Sequence, residues 1–135
     1  MAVFTPEQEE YVRARQVCVL GTGKRDGSPQ LSMVTYLYDG MYLLISTTRA
    51  SAKYANARHQ PSVAVLVPDG RKQVVVYGTA EILEGKERDA AIIAIRAHQG
   101  DPLPADYDLE RFGRRLDELR RIVIRVTPER AFSND

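Results

Sequence analysis

The chain has no tryptophan, one cysteine and two histidines among its 135 residues. A single thiol, Cys18, cannot close an internal disulfide, and its setting in VCVLG marks a small buried hydrophobe. His59 and His98 stand alone, and with one cysteine they do not make a zinc set; no nucleophile triad follows from spacing either. An excess of one charge is also missing: 19 basic residues face 18 acidic ones, a formal net charge of +1. No global field therefore draws the chain to nucleic acid or to a membrane surface. The pairs Arg114-Arg115 and Arg120-Arg121 alternate with Glu110, Asp117 and Glu118, as on a solvated helix face. No window approaches the ~18 consecutive apolar residues that span a bilayer, and no charged flank leads into a signal-type apolar run. A cytoplasmic protein is expected.

What is present suits one soluble domain over residues 1–135, with 44% hydrophobic and 27% charged residues. Thr5-Pro6-Glu7-Gln8 reads as a capped helix start, with Pro6 at the first helical position and Gln8 completing a capping box; that helix should reach about Arg15. VCVLGTG predicts a strand, and Asp26-Gly27 a turn. QLSMVTYLY alternates at period two, placing Leu31, Met33, Thr35 and Leu37 on one face. Asp39-Gly40 then turns into MYLLIS, so these three strands should form an antiparallel meander. Between Ala50 and Gln60 the β-branched residues give way to Ala, Lys, Arg and Asn, a helix ended by Pro61. SVAVLV and KQVVVYGTAEIL are further strands, with Gly78 a bulge or a point of close approach. Helices are expected in GKERDAAIIAIRAHQ and after Asp108, and a last strand in RRIVIRVTPERAF. The whole predicts an α+β, mainly β domain: a six-stranded antiparallel split or closed barrel with flanking helices.

The segment ISTTRASAKYANARHQPSV carries the strongest chemical signal. A helix start exposes unpaired N–H groups and partial positive charge, so it binds phosphate readily. Ser46, Thr47 and Thr48 place hydroxyls just before such a start, and Arg49 and Lys53 add charge. From residue chemistry alone this is either an anion site or an ordinary surface helix capped by Thr48. The glycines of GTGKRDG lack the Walker spacing and its Lys-Ser/Thr ending.

The order DGSPQLSMV, then STTRASAK, then QVVVYG resembles the flavin- and deazaflavin-binding split-barrel superfamily, the pyridoxamine 5'-phosphate oxidase-like fold. The resemblance spans roughly residues 10 to 85. Asp26, Gly27, Pro29, Ser32 and Val34 match its first motif, Ser51 and Lys53 its phosphate motif, and Gln73 a glutamine that reaches the cofactor of the other subunit. Ala52 and Val75 stand where flavin-binding members often carry arginine, and the tryptophan- and arginine-rich substrate motif of the vitamin B6 oxidases is missing. The pattern is most similar to the branch that uses deazaflavin coenzyme F-420. The resemblance implies a homodimeric oxidoreductase with F-420, or alternatively FMN, at the subunit interface. Its phosphate would lie at Ser46, Thr47, Thr48, Arg49, Ser51 and Lys53, its ring against Gln30, Ser32 and Val34, and Gln73 would close it from the partner. The substrate would be a small organic molecule, with Tyr36, Tyr38 and Tyr77 as candidate proton donors. A non-catalytic flavin- or haem-binding module is the rival expectation.

Overall fold

Thr5 opens the first helix as its neighbours dictate: its hydroxyl accepts from the Gln8 N–H at 3.1 Å, and the Gln8 side chain accepts from the Thr5 N–H at 3.0 Å. The computed structural model describes residues 2–134; Met1 and Asp135, the ends of the expected domain, lie outside the described residues. The elements are α1 (Pro6–Ala14), β1 (Val17–Gly23), β2 (Pro29–Thr35), β3 (Leu37–Tyr38), β4 (Leu43–Thr48), α2 (Ala52–His59), β5 (Ser62–Asp69), β6 (Lys72–Leu83), α3 (Gly85–His98), α4 (Leu109–Glu118) and β7 (Arg121–Ser133). All strand pairs are antiparallel, in the order β2-β1-β5-β6-β7-β4-β3. The sheet curls into an open half-barrel, the expected split-barrel architecture. No helix among the described residues is long and apolar enough to cross a membrane.

Two expectations are corrected. The sheet has seven strands rather than six, because QLSMVTYLY breaks at Tyr36. Tyr36 is fully buried, its hydroxyl donates to the Val12 carbonyl at 2.5 Å and its N–H donates to the Gln16 carbonyl, so it leaves the β1–β2 ladder after Thr35. The meander also fails. β4 pairs with β3 through the Asp39-Gly40 turn and on its other edge with β7, not with β2. That leaves β2 and β3 as the two edges of the sheet.

β6 is long enough to pair with both β5 and β7, and it bulges at Gly78, as expected of a glycine within a strand. A Cβ there would lie 2.3 Å from the Thr127 carbonyl oxygen, so only glycine permits the strands to approach.

Period-two alternation divides the apolar residues into two clusters. Inside the barrel lie Leu20, Ile45, Val65, Val76, Ile122 and Ile124, closed at one end by Val12 of α1 and Tyr36. On the opposite face Leu44, Leu83 and Val123 meet Ala91, Ile92 and Ile95 of α3 and Phe112 and Leu116 of α4. Each fully buried aliphatic chain contributes about 1.5–3 kcal/mol, so α3 and α4 are held by packing more than by propensity. In the β1–β2 pair, Cys18, Leu20 and Thr22 stand opposite Val34, Ser32 and Gln30, turned inward. The alternating row Leu31, Met33 and Thr35 faces outward, with Leu31 72% and Met33 75% exposed.

Candidate functional site

β4 brings the three hydroxyl residues to one corner, but the pleat divides them. Thr47 points inward opposite Ile122, whereas Ser46 and Thr48 lie on the other face, opposite Val123 and Arg121. The chain then turns sharply, with the Arg49 N–H donating to the Arg120 carbonyl and the Ser51 N–H to that of Thr48. Ser51, not Thr48, is the N-cap of α2. Its hydroxyl accepts from the Tyr54 N–H at 3.2 Å, donates to the Thr48 carbonyl at 2.9 Å and accepts from the Thr47 hydroxyl at 3.1 Å. Two hydroxyls therefore converge on the positive end of the helix, whose first turn contains no acidic residue.

The two cations differ. Lys53 is half-buried in the first turn and joins none of the ion pairs among the described residues. Arg49 is paired: its Nη2 donates to Glu84 Oε1, at the end of β6. This pair lines a cavity of about 400 Å³ with Tyr54, Arg58 and Ile82.

Gln30, Ser32 and Val34 are half-buried on the inner face of edge strand β2. Asn56 of α2 donates its side-chain amide to Gln30 Oε1 at 2.6 Å and to the Thr22 hydroxyl at 3.2 Å, tying strand to helix. Sequence reasoning missed Asn56, Thr22, Glu84, Tyr54 and Arg58. Asn56 gave one signal, a poor helix former placed inside a helix, which asks for a side-chain partner. Gln73 is not brought to this corner within one chain. It pairs with Pro68 near the β5–β6 turn, and its N–H donates to Asn134 Oδ1 at 2.7 Å, whereas α2 enters β5 at the opposite end of that hairpin.

The candidate proton donors do not gather here. The Tyr36 proton is committed to Val12 in the core, and burial pushes its pKa up. Tyr38 is buried under Phe4 with the Arg13 guanidinium over its ring, and Tyr77 lies edge-on to Phe132 on the outward face. Cys18 is buried as expected, which pushes its thiol up to about 12. His59 is exposed at the end of α2 and His98 closes α3. Among the described residues, no group of three His, Cys, Asp or Glu side chains is placed to hold a metal ion.

The pyridoxamine 5'-phosphate oxidase family matches residues 4–134. The chain belongs to this family. A solved conserved hypothetical protein from Mycobacterium tuberculosis is similar at 25% identity with a TM-score of 0.78, covering 98% of this chain and 86% of that one. A protein described as an F420 reductase is similar at 25% identity with a TM-score of 0.70, covering 92% of this chain and 94% of that one. The haem storage protein HutZ from Vibrio cholerae, 20% identical with a TM-score of 0.67 over 98% of this chain and 94% of its own, shares the fold.

Proposed function

We propose that this chain is an oxidoreductase that uses the deazaflavin coenzyme F-420, with FMN as the alternative cofactor, on a small organic substrate. The observation that carries this reading is the meeting of the Thr47 and Ser51 hydroxyls at the start of α2, beside Lys53 and with no acid in the helix's first turn. These residues fit a phosphate: the helix-start N–H groups and Lys53, which joins no ion pair among the described residues, point to one corner, whose shape the mutually bonded Thr47 and Ser51 hydroxyls hold. Thr47 and Ser51 would fix the helix start against which the phosphate lies, and Lys53 would hold it as a point charge.

When bound, the cofactor supplies hydride chemistry, and the protein supplies orientation and exclusion of water. Ser32 and Val34 form an inner wall. Because Asn56 takes the carbonyl oxygen of Gln30, the amide nitrogen of Gln30 remains as a donor toward a bound ring. Gln73 would act from a second copy. The outward face supports that arrangement: Leu31, Met33, Val19, Leu66, Val75 and Phe132 follow one another across adjacent strands, an apolar band suited to a two-fold contact.

One observation favours the non-catalytic rival, a flavin- or haem-binding module. None of the three expected proton donors, Tyr36, Tyr38 and Tyr77, lies beside the α2 start, where the tyrosine hydroxyl present is that of Tyr54. Turnover separates the two: oxidation of reduced F-420 by an added enone, quinone or tetrapyrrole supports an enzyme, and inertness toward all three supports a binder. Fluorescence titration with F-420 and FMN tests the cofactor. Lys53→Ala should weaken the preferred one by about 1.5–3 kcal/mol, and unchanged affinity would remove Lys53 from the site.

A further inference from the structure

Glu84 is the residue of the α2 corner that sequence reasoning had no cause to notice. It occupies the N-cap position of α3, yet its side chain makes no capping hydrogen bond. Its carboxylate instead reaches across to Arg49. Arg49 is fixed at its root, where the backbone N–H is held by Arg120, while its guanidinium projects into the cavity shared with Tyr54 and Arg58. Arg58 is only weakly engaged there, its Nη1 lying 3.4 Å from the Tyr54 hydroxyl. The side chains of Arg49 and Glu84 are 42% and 50% exposed, so either partner can be resolvated at little cost when the pair opens.

We propose that Glu84 tempers the charge selectivity of this corner: it competes for the Arg49 guanidinium and lowers the affinity of a phosphate group that must displace it. The proposal rests on the phosphate reading of the α2 start given above. A ligand without a phosphate has nothing to offer Arg49 in exchange for a carboxylate. A phosphate does, because its oxygens accept two parallel N–H bonds from the guanidinium fork. The cost of opening the pair therefore falls on anionic ligands alone, and a neutral ligand binds with the pair closed. Glu84 also offsets part of the local excess of Arg49, Lys53 and Arg58, which would otherwise attract any anion. Glu84 thus acts through Arg49 as a specificity residue and touches no reacting atom.

The test compares FMN with riboflavin, and F-420 with its phosphate-free deazaflavin core, by fluorescence titration on the full chain. Glu84→Gln should tighten the phosphate-bearing member of each pair by roughly three- to tenfold at low salt and leave the phosphate-free member unchanged. The gain should shrink as ionic strength rises, because the groups are solvent-exposed. In an Arg49→Gln background the same Glu84→Gln change should have no effect, since its route is through Arg49. If the unmodified protein prefers the phosphate-bearing ligands but Glu84→Gln shifts both members equally or neither, Glu84 does not temper selectivity and the cradle stands. If the unmodified protein shows no phosphate preference with either pair, the cradle reading fails and the role of Glu84 fails with it.

Discussion

Two arginines, Arg88 at the α3–α4 corner and Arg49 at the α2 corner, meet carboxylates in opposite ways. Arg88 is 2% exposed, and all three of its guanidinium nitrogens are engaged, by Asp89 and Asp117 and by the Gly113 and Arg121 carbonyls. Burial alone would push its pKa down, but the bonds to Asp117 and Asp89 more than reverse that. Arg49 has one carboxylate partner, and both members of that pair remain about half in water. A buried cation with every donor satisfied holds elements together and has nothing left to give a ligand. An exposed cation with one exchangeable partner adds little to stability and can change partners.

That contrast is broken most directly at Arg88. Arg88→Ala should cost about 2–4 kcal/mol, because two backbone carbonyls and the half-buried Asp89 lose their donor where α3, α4 and β7 converge. Urea unfolding measures it, and ligand affinity at the α2 corner should not move. A fully stable Arg88→Ala protein would show that the apolar contacts of Phe112 and Leu116 hold this corner unaided.

A smaller effect sharpens the same point. A Cβ on Gly113 would sit 2.6 Å from Asp89 Oδ2. Such a clash is mild when the opposing group is a loose side-chain end, but Asp89 is pinned by two bonds from Arg88 at 2.9 and 2.8 Å. Gly113→Ala should therefore cost about 1–2 kcal/mol. In an Asp89→Ala background the added methyl should cost much less, and additive losses would mean that Asp89 is not pinned.

The same contrast between local and distant partners decides what the sequence could reveal. The capping box at Thr5, the helix from Ala52 and the bulge at Gly78 depend on neighbours within a few residues or on one residue's own geometry, and all are legible. The hydroxyl run likewise brought Thr47 to attention, and the family pattern Ser51 and Lys53, all within seven residues of one another. The break at Tyr36 was hidden because it depends on the Val12 carbonyl, far back along the chain. The pairing of β4 with β7 rather than β2 joins Thr48 to Arg121, which no alternation pattern encodes. Period two was read correctly in β2, yet periodicity cannot say which face is inside, and the apolar row Leu31–Met33 proved to be the outer one. Asn56 and Glu84 escaped for the same reason: each gains its meaning from a partner brought near only by the fold, Gln30 in one case and Arg49 in the other.

The smallest expected change in stability is the most discriminating. Arg49→Gln removes one half-exposed ion pair while its backbone bond to Arg120 remains, so the unfolding free energy should fall by no more than about 0.5 kcal/mol. Affinity for a phosphate-bearing cofactor should nevertheless drop several-fold, and affinity for riboflavin should hold. This is the reverse of the outcome at Arg88, where stability falls and binding does not. The two losses come apart because the energy of a charge depends on what replaces its partner. At Arg88 the substitution takes the guanidinium from Asp89 and from two carbonyls in the packed corner, whereas at Arg49 water replaces the lost contacts and only a bound anion registers the change. A stability loss at Arg49 comparable to that at Arg88 would mark the Glu84 pair as a structural clamp, and the α2 corner would then lose its exchangeable cation, leaving Lys53 and Arg58 as the charges available to a phosphate.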